Sequence, residues 1–187
     1  MAVSGANYFL KTRRLGFRTW RGDDFALARG LWGDPKVMEL LDSRGHLTDG
    51  QVRRKLGLEL ESQARFGVQY WPFFLLATGE HVGCCGLRNH DASKGIYELG
   101  FHLLPAHWGK GYATEASRAV TRYAFDELGV QALYAGHHPK NVASRRVLLR
   151  LGFRYIGDQR YAPTGLMHPS YLLSRKDYAS LCDSAQT

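Results

Sequence analysis

The run Leu104-Pro105-Ala106-His107-Trp108-Gly109-Lys110-Gly111-Tyr112-Ala113-Thr114-Glu115-Ala116 organises the reading of this chain. Before it, Gly95 to Leu104 (GIYELGFHLL) reads as a strand. After it, Ala113 to Leu128 reads as a helix, with Ala116, Val120, Tyr123 and Ala124 at helical spacing. Two glycines one residue apart let the backbone turn tightly and leave its N–H groups uncovered. The helix that follows adds its orphan N–H groups and the positive end of its dipole. Strand, glycine loop and helix N-terminus together make an anion site suited to a phosphate or pyrophosphate. The P-loop pattern GxxxxGK(S/T) is absent. The dinucleotide pattern GxGxxG is half met, because Gly109 and Gly111 fit but Thr114 stands at the third glycine position. A bare GxG between strand and helix is by itself only a tight turn.

Working outward, Leu15 to Trp20 alternates as a short strand. Asp23 and Asp24 offer an N-cap for a helix through Phe25, Leu27, Ala28 and Leu31, which Gly33-Asp34-Pro35 breaks. Val37 to Leu41 reads as a further helical turn. Thr48 with Gln51 is a capping box that opens a helix through Val52, Leu56, Leu60 and Ala64, ending near Gly67. That stripe reads as core or as one wall of an acceptor cleft. Gln69 to Ala77 is a strand with Pro72 at its start or on an edge. A turn at Thr78-Gly79-Glu80-His81 leads into a glycine-rich strand, Val82 to Leu87. In the second half, Gly129 closes the helix from Ala113, Ala132 to His137 is a strand, and Asn141 to Leu151 is a helix closed by Gly152. Phe153 to Tyr161 and Tyr171 to Leu173, starting as early as His168, are the last strands. Antiparallel hairpins with one βαβ crossover predict a single domain over residues 1–187, of the α+β or mixed α/β class.

Composition narrows the classes. The 187 residues are 44% hydrophobic and 22% charged, which excludes a disordered chain. The densest apolar run, Trp71 to Ala77, is far short of the roughly 20 residues a membrane span needs. Met1 to Leu10 lacks the apolar core of a secretory signal. Cys84, Cys85 and Cys182 show no disulfide or zinc spacing, and Cys84 and Cys85 should alternate across their strand, so a cytoplasmic location is expected. The net charge is +8, and from Leu128 to Gly157 there is no acid but Lys140, Arg145, Arg146, Arg150 and Arg154. Such a surface is either a solvated face or a site for a polyanion: nucleic acid, a phospholipid headgroup or a phosphorylated cofactor.

The stretch Trp108-Gly109-Lys110-Gly111-Tyr112-Ala113 resembles the acetyl-CoA loop of the GNAT N-acetyltransferases, (Q/R)-x-x-G-x-(G/A), with Trp108 at the place of the Gln or Arg. That departure is similar to one branch, the bacterial ribosomal-protein N-terminal acetyltransferases. Glu98-Leu99-Gly100-Phe101, Pro105 and Thr114-Glu115-Ala116 resemble the same branch, as does Asn141-Val142-Ala143-Ser144-Arg145-Arg146-Val147 through Leu151-Gly152-Phe153. The resemblance implies a central, mostly antiparallel sheet with flanking helices, in which the strands holding Glu98 and Tyr134 are parallel but splayed. The pantetheine arm of acetyl-CoA would enter that gap and pair with backbone at Phe101, His102 and Leu103. The pyrophosphate would sit on Trp108, Gly109, Lys110, Gly111, Tyr112, Ala113 and Thr114, with Lys140, Arg145 and Arg146 near the mouth. Asn141 would bond the pantetheine amides while also capping its helix.

The implied reaction is direct acetyl transfer to a primary amine, with no metal and no covalent enzyme intermediate. An α-amine has a reference pKa of about 7.7 to 8.0, so it needs only modest help from a base. Glu98 is the candidate base or a positioning carboxylate. Ser144 is the candidate group at the leaving thiolate, with Tyr134 and Tyr155 as alternatives. His137-His138 gives little support to a metal, since adjacent strand residues point to opposite faces. Cys85 with His81 or His90 as a nucleophile yields to a buried strand cysteine. Two rival classes are a non-catalytic acyl-CoA-binding protein and a basic nucleic-acid-binding module. Against the second, no RNP, KH or helix-turn-helix pattern is present. The expected partners are acetyl-CoA and an amine acceptor, without a membrane, for a monomer or homodimer. A protein N-terminus, a small amine, an aminoglycoside and a polyamine all stay open as acceptors.

Overall fold

The computed structural model describes residues 7–184. The signal-peptide reading therefore falls partly, at residues 1–6, outside the described residues. The strands are β1 (Leu10–Lys11), β2 (Leu15–Phe17), β3 (Tyr70–Leu75), β4 (His81–Asp91), β5 (Ile96–Leu103), β6 (Ala132–Gly136), β7 (Arg154–Tyr161) and β8 (Leu166–Ser174). The α-helices are α1 (Phe25–Trp32), α2 (Pro35–Met38), α3 (Asp49–Phe66), α4 (Tyr112–Arg122), α5 (Val142–Arg150) and α6 (Arg175–Ser184). Among the described residues the strands form one sheet in the order β1-β2-β3-β4-β5-β6-β8-β7. Every neighbouring pair is antiparallel except β5 and β6. This is the expected α+β architecture.

The parallel pair is joined only at Ile96–Ala132, Tyr97–Leu133 and Glu98–Tyr134. Beyond Glu98, β5 runs on to Leu103 without pairing to β6. β6 meanwhile stays paired to β8 through Gly136. The sheet thus opens between the two strands, and the opening starts at Glu98.

Two apolar clusters hold helices to the sheet. One packs Trp71, Cys85, Leu87 and Leu99 against Ala116, Val120 and Phe125, and against Val147 and Leu148 of α5. The other packs Cys84 and Tyr70 against Trp32, Val37, Met38, Val52 and Leu56 of α1, α2 and α3. Cys84 and Cys85 therefore alternate across β4, as the sequence suggests. The Thr48–Gln51 capping box closes reciprocally at the start of α3. It is worth about 1 kcal/mol, against about 1.5–3 kcal/mol for each fully buried side chain of the Val52 and Leu56 kind. Packing therefore dominates the placement of α3. Its buried face is Val52, Leu56 and Glu59, with Leu60 beside them, while Ala64 is exposed. The expected stripe holds for its first three members only.

Four other departures have physical causes. Asp24 does not cap α1 with its side chain; its carboxylate takes two bonds from the Arg18 guanidinium (2.6 and 2.8 Å) and one from Arg21 N–H (2.7 Å). The helix from α4 changes to a π turn at Tyr123–Glu127, where Val130 N–H reaches back to Ala124 O, before Gly129 ends it. The strand expected to reach His137 stops at Gly136. The helix α6 was not anticipated. Ser174 Oγ accepts from Asp177 N–H at its start, a Ser-x-x-Asp signal that could have found it.

Candidate active site

Beyond β5 the chain makes a short turn at Pro105–His107 and reaches the glycine loop. Gly109 and Gly111 have φ of +74° and +79°, which L residues rarely adopt. A Cβ at Gly109 would meet nothing within 4 Å, and one at Gly111 only the Arg14 Nη2 at 3.6 Å. Glycine is therefore required here by conformation rather than by space. Gly111 is the N-cap of α4 and supplies no side-chain cap, so the first-turn N–H groups are left for a ligand. Trp108, half-exposed, donates from Nε1 to Leu103 O (2.8 Å), which ties the loop to the end of β5.

A brace from the other end of the chain fixes the loop. Arg14 donates to Lys110 O (3.2 Å) and to Glu115 Oε2 (2.6 Å), and its guanidinium lies 4.5 Å from the Tyr112 ring centre. Thr12 Oγ1 and Arg14 N–H donate to Glu115 Oε1 (2.6 and 3.1 Å). Burial alone would raise the Glu115 carboxyl, but these bonds and the Arg14 charge hold it below the usual carboxylate range. Sequence reading missed Arg14 because the partners lie about a hundred residues apart.

The loop borders a cleft of about 620 Å³. Its walls include Phe101, His102 and Leu103 of β5; Trp108, Gly109, Gly111, Tyr112, Ala113 and Thr114; and Asn141 and Ser144 of the α5 start. Of the expected loop residues only Lys110 is absent from the wall; its carbonyl serves the Arg14 brace instead. Asn141 Oδ1 accepts from Ser144 N–H (3.0 Å), the expected cap. The basic rim is Lys140, Arg146 and Arg150, not Arg145, which stands outside the cleft. Lys36 and Val37 of α2, with Leu40 and Leu41 after it, cover the far side, a contribution the sequence did not reveal. Four cations and no carboxylate border this cleft, which suits a polyanionic ligand.

A second cavity, of about 480 Å³, shares Leu40, Leu41 and His102 with the first. Glu98, Gly100 and His102 alternate along β5 to form one wall of it. The Tyr70 ring packs across Gly100 so closely that a Cβ there would come 2.2 Å from it, so only glycine fits. Beneath, the buried Glu59 accepts from Tyr70 N–H (2.8 Å) and pairs with Arg88, whose guanidinium sits 4.1 Å from the Tyr70 ring centre. His102 Nδ1 accepts from Trp32 Nε1 (3.1 Å); burial, with Lys55 and Arg88 nearby, pushes its pKa well down, so it is neutral. His102 thus borders both cavities, with its ring held by Trp32.

The remaining candidates separate. Tyr134 Oη is held by Ser170 Oγ (2.8 Å) and Gln159 Oε1 (3.2 Å), with His90 stacked on its ring, outside the first cleft. Tyr155 is exposed on β7 and donates to Asp158 (2.7 Å). His137 and His138 follow β6 rather than lying in it, and both border the second cavity. The opposite-face argument for them therefore does not apply. His137 Nδ1 lies 2.8 Å from His138 O, and His138 Nδ1 accepts from Lys140 N–H. Among the described residues no group of three or more His, Cys, Asp or Glu is placed to hold a metal. Cys85 is buried beside Ser117, and burial pushes its thiol up to about 12, so it is not a nucleophile at neutral pH.

A sheet that parts beside a glycine loop thus offers a cationic cleft for a polyanionic ligand and, adjoining it, a carboxylate-bearing cavity for a second one. Residues 14–154 match the model of the acetyltransferase (GNAT) domain, and the chain belongs to that family. It is an acetyl-CoA-dependent acyltransferase. It is 31% identical to the uncharacterized N-acetyltransferase p20 of Bacillus licheniformis, covering 79% of this chain and 83% of that one. It is 47% identical to the probable N-acetyltransferase YjcK of Bacillus subtilis, covering 77% and 68%. Its fold is similar to that of RimL, a ribosomal L7/L12 alpha-N-protein acetyltransferase solved in complex with coenzyme A. That match has a TM-score of 0.77 and 14% identity, covering 90% of this chain and 98% of that one. Among the described residues no helix is long and apolar enough to cross a membrane.

Proposed function

We propose that this single-domain protein moves the acetyl group of acetyl-CoA to a primary amine, on a protein N-terminus or a small molecule, by direct attack in a ternary complex. The observation that carries the reading is that two cavities of different character meet at His102, beside the opening of the sheet. The cationic cleft suits the CoA phosphates, with the pyrophosphate on the Gly109–Thr114 loop and the pantetheine arm along Phe101, His102 and Leu103 and beside Asn141. The amine enters through the second cavity, where Glu98 takes its proton directly or through water. Nitrogen bonds to the acetyl carbon, the C–S bond breaks, and the thiolate leaves beside Ser144, whose hydroxyl stabilises the developing charge. Cysteines without framework spacing favour a reducing compartment, and we place the enzyme in the cytoplasm.

The test is release of free CoA thiol from acetyl-CoA against a panel of amines: N-terminal peptides, small amines, an aminoglycoside and a polyamine. Amine-dependent release with a mass gain of one acetyl group on the acceptor is expected. Tight acetyl-CoA binding without release for any amine would instead mean a non-catalytic acyl-CoA-binding protein.

A further inference from the structure

The second cavity has a charge imbalance that the chemistry of acetyl transfer does not explain. Two of its four cations are matched: Arg44 pairs with Asp42, and Arg88 with the buried Glu59. Arg54 and Lys55 line it without an ion-pair partner among the described residues, and the remaining lining carboxylate is Glu98, the one assigned to the amine. Lys55 is the telling one. It projects from α3 into the cavity, half-buried, with its ammonium 4.9 Å from the Trp32 ring centre. No carboxylate of the described residues forms an ion pair with it.

An ammonium withdrawn from water is costly unless an opposite charge or hydrogen-bond acceptors compensate it. A ring face offers about 0.5–2 kcal/mol, less than a desolvated charge needs. Burial, and after it the neighbouring Arg88 charge, push the Lys55 pKa down; Glu59 and Glu98 act against them from a distance without reversing the shift. Nothing in the fold requires a cation at this position, since Leu56 and Val52 already supply the packing of α3. An anionic group on the occupant of the cavity would supply the direct ion pair that Lys55 lacks. A purely cationic acceptor, such as a polyamine, would meet Lys55 and Arg54, neither of which has an ion-pair partner among the described residues, and be repelled.

We propose that the acceptor is an amine that also carries an anionic group, a carboxylate or a phosphate, and that Lys55 holds this group while the amine lies at Glu98. The inference rests on the transferase reading and narrows its acceptor. It makes Lys55 a specificity-determining residue. A cavity of about 480 Å³ has room for an amino-acid-sized amine or the first residues of a peptide.

The experiment uses matched acceptor pairs that differ in one charge: amino acids and their carboxamides, peptides with Glu or Gln at the second position, and phosphoethanolamine against ethanolamine. The kcat/KM of CoA release is read for each. At least one anionic member should exceed its neutral twin by tenfold or more, and the peptide and phosphate arms separate the sources of the charge. Lys55→Met keeps an unbranched side chain against Trp32. It should bring that ratio close to one while leaving the acetyl-CoA Kd unchanged, and Lys55→Arg should restore the preference. Should Lys55→Met not fold, the wild-type ratio and its decline with added salt still decide, because a held anion is screened. Neutral amines acetylated as well as their anionic twins, or a ratio unmoved in Lys55→Met, would overturn this inference and leave the transferase reading standing. No release with any amine, despite acetyl-CoA binding, would overturn both.

Discussion

Replacing Gly111 by Val tests the cofactor loop directly. Gly111 sits at φ +79° and ψ +3°, the left-handed region, as N-cap of α4. The new Cβ would meet only the end of the Arg14 side chain, at 3.6 Å, an ordinary contact. Steric exclusion therefore contributes little, and the cost is backbone strain. Holding an L residue left-handed costs roughly 1–2 kcal/mol, with a β-branched one at the upper end. Without ligand, the loop can relieve that strain by rotating to negative φ, which turns its N–H groups away from the cleft. With acetyl-CoA bound it cannot, so the strain appears as lost affinity. Acetyl-CoA should bind at least about tenfold more weakly, about 1.4 kcal/mol, by titration calorimetry. Gly111→Asn is the internal control, since Asn tolerates the left-handed region, and its affinity should stay within about threefold of wild type. Far-ultraviolet dichroism establishes that both variants fold. A folded Gly111→Val protein with unchanged affinity would refute the loop assignment, and an Asn variant as weak as the Val variant would refute the conformational argument.

Glu98→Gln should lower turnover near neutral pH by about a hundredfold, with much of the loss vanishing as pH rises past the amine's own pKa; equal losses from pH 6 to 10 at intact acetyl-CoA affinity would make Glu98 a positioning group. Ser144→Ala should reduce kcat by one to two orders of magnitude with little change in the acetyl-CoA KM, because the bond to sulfur strengthens mainly in the transition state. Tyr134→Phe, whose hydroxyl is taken up by Ser170 and Gln159, should leave kcat nearly unchanged, and the reverse pattern would transfer the acid role to the tyrosine. Burial of His81 against Trp20 and Phe74, with Nε2 unpartnered, lowers its pKa from 6.5 to about 4. The unfolded chain then takes up the proton first on acidification, so this contribution is fully present above pH 6.5 and is lost as pH falls towards 4. Urea titrations across that window should show stability falling with pH, and His81→Phe should flatten the slope by up to about one proton.

Residues a few positions apart carried what the sequence determined. The glycine loop, the Asn141 cap, the Thr48–Gln51 box and the alternation of Cys84 and Cys85 all depend on backbone geometry over two to four residues. They were legible because that geometry is the same in any fold. The class of fold, hairpins with one βαβ crossover, followed from the order of such elements, and the splayed parallel pairing of the strands of Glu98 and Tyr134 from the family resemblance. Tertiary structure alone decided what crosses the sheet. The Arg14 brace on Glu115 and Lys110, the Glu59–Arg88 pair and the unmatched Lys55 join elements that are distant in sequence. The choice of Arg150 over Arg145 at the rim belongs with them, because it depends on how α5 is rotated against the sheet. Helical spacing says which residues share a face, but the burial of neighbouring elements determines where that face points. The glycine loop and the start of α5, each a contiguous stretch, were therefore readable in advance as walls of the first cleft, whereas its far wall from α2 was not. The acceptor side, assembled from α3, β4, β5 and the segments around His138 and His168, took shape only when the sheet brought them together.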